Sequence, residues 1–121
     1  MEKKILIAED NYVLALVFEK MAQKMNFKVT SVSRSGEEAL EDIISGKPDI
    51  ILMDILLTGG MNGIDVIEKV RKKSSVPVVF ITGQSNKAVY KRIKSIPNSS
   101  LVIKPISFED LEKELLMHLY D

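Results

Sequence analysis

The sequence contains no cysteine and no tryptophan, and histidine occurs once among its 121 residues. Without thiols there is no disulfide framework and no thiolate metal site, a composition that suits a reducing cytosol. A single histidine excludes a histidine metal cage and leaves no Ser-His-Asp assembly to build. His118 lies near the end of the chain, remote from the acidic residues of interest, and reads as a surface residue. Neither sign of charge is in excess: Lys+Arg and Asp+Glu are 17 each, so no global field favours nucleic acid or an anionic membrane as a direct partner. No apolar stretch approaches the roughly 18 residues of a membrane span. The first apolar run stops at an acidic pair and is too short for a secretory signal. What is present is a 45% hydrophobic chain, enough for a real core. Its length fits one domain, 1–121, with no linker, repeat or low-complexity segment.

Five short apolar runs, at 4–8, 28–33, 50–53, 76–81 and 101–103, alternate with helical patterns at 11–25, 36–44, 63–71, about 86–95 and 108–119. The runs are mostly β-branched and nearly continuous in apolarity, as parallel strands covered on both faces should be. In the first helix Leu14, Val17, Phe18, Met21 and Met25 are expected on one face; in the second, Leu40, Ile43 and Ile44. Ser35 with Glu38, and Ser107 with Asp110, stand at capping-box spacing. The fourth helix has the weakest pattern, with Lys87, Tyr90, Lys91, Arg92 and Lys94 around Val89 and Ile93. Strict alternation of strand and helix predicts a doubly wound α/β fold with a parallel sheet and right-handed crossovers.

In such a fold, ligands gather at the carboxyl edge of the sheet. Asp54 closes the third run, Glu9-Asp10 follow the first, Thr82-Gly83 follow the fourth and Lys104-Pro105 follow the fifth. Taken singly, each has a plain structural explanation: Asp10 or Asn11 caps a helix, Thr82 ends a strand, Gly83 turns the chain, and Lys104 is solvated before a turn proline. Taken together they make a different pattern. Three carboxylates at one edge repel one another, and a hard divalent cation with oxygen ligands relieves that repulsion. Gly83 lets a group approach the backbone closely. The stretch 58–63 is glycine-rich but lacks the GxxxxGK[ST] pattern and follows the third run, so it reads as a loop bordering the site.

These residues, in this order and each at the end of the matching strand, resemble the receiver domain of two-component response regulators, of the single-receiver chemotaxis type. The resemblance spans the whole chain. It implies a flavodoxin-like three-layer sandwich whose five parallel strands run in the order 2-1-3-4-5. It implies phosphorylation at Asp54, with Mg²⁺ (or Mn²⁺) held by Glu9, Asp10, Asp54 and the backbone carbonyl of Leu56. Thr82, Gly83 and Lys104 would meet the phosphoryl oxygens. The implied donor is a sensor histidine kinase or histidine phosphotransfer domain in the cytoplasm. The output partner is an unspecified protein met by the helix 4–strand 5–helix 5 face, with weak self-association as an option. The implied role is a signalling domain that catalyses only its own phosphorylation and dephosphorylation. Two positions depart from the family's habit. Leu101 stands where an aromatic switch residue is common. Leu56 and Gln84 occupy the variable positions that border the phosphoryl group; an apolar Leu56 cannot orient a water, whereas Gln84 has the chemistry to do so.

Three alternatives compete. A phosphatase of the aspartyl-phosphate type needs a second Asp two residues after its nucleophile, but Asp10 is followed by Asn11 and Tyr12. A flavin- or nucleotide-binding flavodoxin-like domain would offer phosphate a Gly/Ser/Thr-rich first turn, where Glu9-Asp10 instead repel it. A receiver-like interaction module that is never phosphorylated would not need the full set of groups.

Overall fold

The computed structural model describes residues 2–83 and 87–119. The chain runs β1 (Lys4–Ala8), α1 (Tyr12–Lys24), β2 (Lys28–Ser33), α2 (Gly36–Gly46), β3 (Ile50–Asp54), α3 (Gly63–Val70), β4 (Val78–Thr82), α4 (Lys87–Lys94), β5 (Ser99–Ile103) and α5 (Phe108–Leu119). The five strands form one parallel sheet in the order β2-β1-β3-β4-β5. This is the expected flavodoxin-like arrangement, and its order reverses between β1 and β3.

Alternate residues of the inner strands point to opposite faces, as strand geometry demands. Leu6, Ala8, Ile51, Met53 and Phe80 pack with residues of α2, α3 and α4 on one side. Ile5, Ile7, Leu52, Val79 and Ile81 pack with Phe18 and Ala22 of α1 and with Leu111 and Leu115 of α5 on the other. The central strands are therefore buried on both faces, which is why they read as unbroken apolar runs. No helix among the described residues is long and apolar enough to cross a membrane.

Several boundaries differ from the sequence reading. β4 begins at Val78 rather than 76, because Pro77 has no N–H for the ladder; its carbonyl accepts from the Ile51 amide at 3.0 Å. β5 starts earlier, at Ser99, where two serines that interrupt the apolar run pair with Val78 and Val79. The Ser99 hydroxyl donates to the Ile96 carbonyl at 2.7 Å, so its polar group is satisfied within the fold. α2 runs on to Gly46 and is capped by Lys47 in the left-handed region. In α1, Ala15, Phe18 and Ala22 face inward while Val17 is exposed, so the apolar stripe is rotated from the one expected. Asn11 caps α1 by accepting from the Leu14 amide. Ser35 accepts from the Glu38 amide as its spacing suggests, but the Glu38 carboxylate returns to the Arg34 amide. Gln84 and the expected start of α4 near 86 lie outside the described residues.

Candidate functional site

The sheet register brings the acids together. Ala8 stands beside Met53 in the β1–β3 pairing, so Glu9 and Asp54, each one residue further on, are neighbours at the carboxyl edge. Carboxylate oxygens of Glu9, Asp10 and Asp54 all lie within 4.8 Å of one another. Glu9 is 1% exposed and Asp54 5%, while Asp10 is half-buried. Backbone amides hold the two buried groups: Asn11 N–H donates to Glu9 Oε2 and Leu56 N–H to Asp54 Oδ1, each at 3.1 Å.

Lys104 arrives from the far side of the sheet. Its amide donates to the Thr82 carbonyl at 2.8 Å, fixing the end of β5 against the end of β4. The Lys104–Pro105 peptide is cis. The ammonium donates to Asp54 Oδ2 at 3.2 Å and lies 3.1 Å from Glu9 Oε1. That second approach is at ion-pair distance, but Glu9 Oε1 is left without a well-directed hydrogen bond. Burial pushes the Glu9 carboxyl up to about 7; the neighbouring Asp54 carboxylate adds to the rise, while the Asn11 amide and Lys104 oppose it. Burial works against the Lys104 ammonium, yet the carboxylates of Glu9 and Asp54 outweigh it and hold its pKa above that of an ordinary lysine.

The remaining predicted positions border the same place. Thr82, 3% exposed, ends β4. Gly83 is exposed, and among the described residues a side chain built there would meet nothing within 4 Å. The Leu56 side chain is exposed, and its amide is the one bound to Asp54. Gly63 serves a different need: a Cβ there would collide with the Asp54 carbonyl, so only glycine lets α3 start against the end of β3. The loop before it is tied down, with the Gly60 amide donating to Glu37 at 2.9 Å and Asn62 capping α3 in a reciprocal box with Asp65. His118, read as a surface residue, is partly buried with its Nε2 2.9 Å from the Ser100 hydroxyl.

Arg34 was not singled out in the sequence. Its guanidinium donates to the Asp10 carbonyl at 3.3 Å and lies 4.3 Å over the Tyr12 ring. The available signal was its position directly after β2, at the same sheet edge as the acids.

The donor set fits a hard divalent cation. Among the described residues one ammonium, Lys104, pairs with two of the three carboxylates, the ligands are all oxygen, and Glu9 Oε1 is buried with an unfilled hydrogen-bonding direction.

The response regulator receiver domain family matches residues 5–116 of this chain. The chain belongs to that family. Among curated relatives, the receiver is similar to the transcriptional regulatory protein PdtaR of Mycobacterium tuberculosis, at 27% identity over 109 residues, covering 90% of this chain and 53% of PdtaR. It is also similar to the response regulator ArlR of Staphylococcus aureus, at 28% over 110 residues, covering 89% and 48%. The chain thus spans about half the length of the curated relatives it matches. Among solved structures, it superposes with a TM-score of 0.84 on the N-terminal domain of a response regulator/sensory box/GGDEF three-domain protein from Carboxydothermus hydrogenoformans. That pair is 35% identical, over 97% of this chain and 94% of the other. Membership supports a phosphoacceptor role in two-component signalling and an acidic pocket for Mg²⁺.

Proposed function

We propose that this receiver accepts a phosphoryl group on Asp54 from the phosphohistidine of a cytoplasmic sensor kinase or phosphotransfer domain. The observation that carries the reading is Asp54 itself: a buried carboxylate at a strand end, with one oxygen held by a backbone amide and the other by Lys104. An Asp54 oxygen attacks phosphorus, the P–N bond to the imidazole breaks, and its electron pair returns to the ring nitrogen. Lys104 follows the charge from the Asp54 carboxylate to a phosphoryl oxygen, while the Thr82 hydroxyl and the Gly83 amide donate to the others. Glu9, Asp10, Asp54 and the Leu56 carbonyl would hold Mg²⁺ or Mn²⁺, which when bound supplies Lewis-acid neutralisation of the phosphoryl charge. Hydrolysis returns Asp54 as its carboxylate when a water oxygen attacks phosphorus and the P–O bond to the carboxyl breaks. Leu56 is apolar and cannot orient that water.

The phosphoryl group adds about −1.5 to −2 charges. Thr82 and Lys104, drawn toward it, bias the α4–β5–α5 face between two arrangements for an output protein. A swing from 1:99 to 99:1 takes roughly 5.5 kcal/mol, which a few charge-assisted hydrogen bonds approach. The test is intact mass after incubation with Mg²⁺ and acetyl phosphate. One added phosphoryl group is expected, absent in Asp54→Asn and absent with EDTA. A gain that survives either change sinks the assignment.

A further inference from the structure

At the opposite edge of the sheet from the acids, α2 and α3 part to leave a cleft of about 690 Å³. Its location follows from the chain path. Lys47 and Pro48 lead into β3 and Ser74 and Val76 lead into β4, so the cleft opens where these strands begin, whereas Asp54 and Thr82 stand where they end. The floor is aliphatic: Leu40 and Ile43 from α2 face Val70 and Val76, and Ile43 and Val70 belong to the core beneath. Ile44, on the same wall, is 66% exposed. The rim is basic. Lys47 stands on the α2 side and Lys69, Lys72 and Lys73 on the α3 side, and among the described residues no carboxylate lines the cleft. Among the described residues none of these four lysines forms an ion pair, although Lys69 contributes to the charge that lowers the Asp65 pKa. In a chain of zero net charge, that is a local surplus of cation around an apolar trough.

We infer that this cleft docks a short acidic amphipathic segment of a partner protein. The volume falls within the roughly 300–1,000 Å³ of ligand clefts. The charge pattern selects among occupants. An amphiphile with a single anionic headgroup satisfies one end of the rim, whereas ammonium groups on both banks match carboxylates on both sides of an apolar ridge. A helix with leucines at i, i+3 and i+7 and glutamates flanking them presents that ridge. Because the cleft and the acidic site occupy opposite strand ends, docking leaves Asp54 accessible to its phosphodonor.

The test uses a synthetic peptide of that pattern, titrated into the protein and followed by backbone amide NMR shifts. Shifts are expected in residues 40–48 and 69–76. The double charge reversal Lys72→Glu with Lys73→Glu should weaken binding roughly tenfold or more, as the loss of several exposed charge contacts implies. Ile44→Ser should weaken it as well, and higher salt should weaken it further. Phosphorylation by acetyl phosphate should be unchanged in both variants, because neither touches the acidic site. Shifts centred on α4, affinity unaltered by the charge reversal, or binding of decanoate or anionic phospholipid vesicles without binding of the peptide would each overturn the inference.

Discussion

The Lys104 ammonium donates to Asp54 Oδ2 at 3.2 Å, joining the ends of two strands that are not neighbours in the sheet. It reaches past β4 to do so and stands 3.1 Å from Glu9 as well, so one cation offsets two buried carboxylates. Lys104→Met removes that offset. In EDTA at pH 8, where Glu9 is ionised, the variant should lose about 1–3 kcal/mol, the usual cost of stranding a buried charge that keeps some access to water. With saturating Mg²⁺ the loss should largely vanish, because a bound cation takes over the neutralisation, while phosphorylation should be slowed. Urea melts with and without Mg²⁺ check this. Equal destabilisation in both conditions would identify Lys104 as a structural ion-pair partner whose role is independent of the metal.

Glu9 and Asp10 should not contribute equally to metal binding. Glu9 is already engaged by the Asn11 amide and Lys104, while Asp10 is half-buried and its carboxylate has no hydrogen-bond or ion-pair partner among the described residues. Asp10→Ala should therefore weaken Mg²⁺ binding more than Glu9→Gln does, on the order of the 10- to 100-fold typical of disturbing a metal's surroundings. Calorimetric titration that ranks the two the other way would reverse the assignment within the pair.

Metal affinity should also rise with pH. Burial first, and Asp54 second, push Glu9 up to about 7, so the folded metal-free protein holds a proton there that the unfolded chain releases near 4.5. Glu9 thus stabilises the metal-free fold below its unfolded pKa, and that contribution is lost as pH rises through about 7. Cation binding favours the ionised form and displaces the proton. Mg²⁺ affinity is therefore expected to increase up to roughly tenfold between about pH 6 and 8, with proton release at the lower pH. Glu9→Gln should flatten that slope. A wild-type affinity independent of pH across this window would show that Glu9 is ionised throughout.

The fold was legible because the inner strands have both faces covered. Ile50 to Met53 and Val78 to Ile81 carry no polar interruption, and burial leaves them none. Legibility failed where tertiary contacts substitute for pattern. Ser99 and Ser100 join β5 through the ladder to Val78 and Val79, with the Ser99 hydroxyl satisfied by the Ile96 carbonyl and that of Ser100 by His118, which no periodicity reports. Val17 lies outward on α1 because the small Ala15 and Ala22 are what fit against the sheet. At the site, Asp54, Glu9 and Lys104 could be placed by strand ends alone. The raised Glu9 pKa could not, since it depends on burial and on which carboxylate lies beside it. Nor could Arg34, whose contacts with Asp10 and Tyr12 depend on how β2 sits beside β1.

The α4–β5–α5 face should carry the response to phosphorylation. Ile93 is the one fully buried residue of α4, with Val89 packed partly against the core. The Ser99 hydroxyl donates to the Ile93 carbonyl at 3.2 Å, and Arg92 also ties the helix to Asp65 and Glu68, at 3.3 and 2.9 Å. Those groups are well exposed, so each pair contributes only about 0–1 kcal/mol. A segment with so few buried anchors opens and shifts at low cost. Leu101 is partly buried against the core behind α4, and it has no ring to swing inward. The change should therefore be a displacement of helix and backbone rather than an aromatic rotamer flip. Adding beryllofluoride and Mg²⁺ should alter amide exchange and shifts through residues 87–106, and Arg92→Ala should raise basal exchange in α4 without abolishing phosphorylation. Changes confined to the loops around Asp54, with residues 87–106 silent, would mean that the signal leaves by another face.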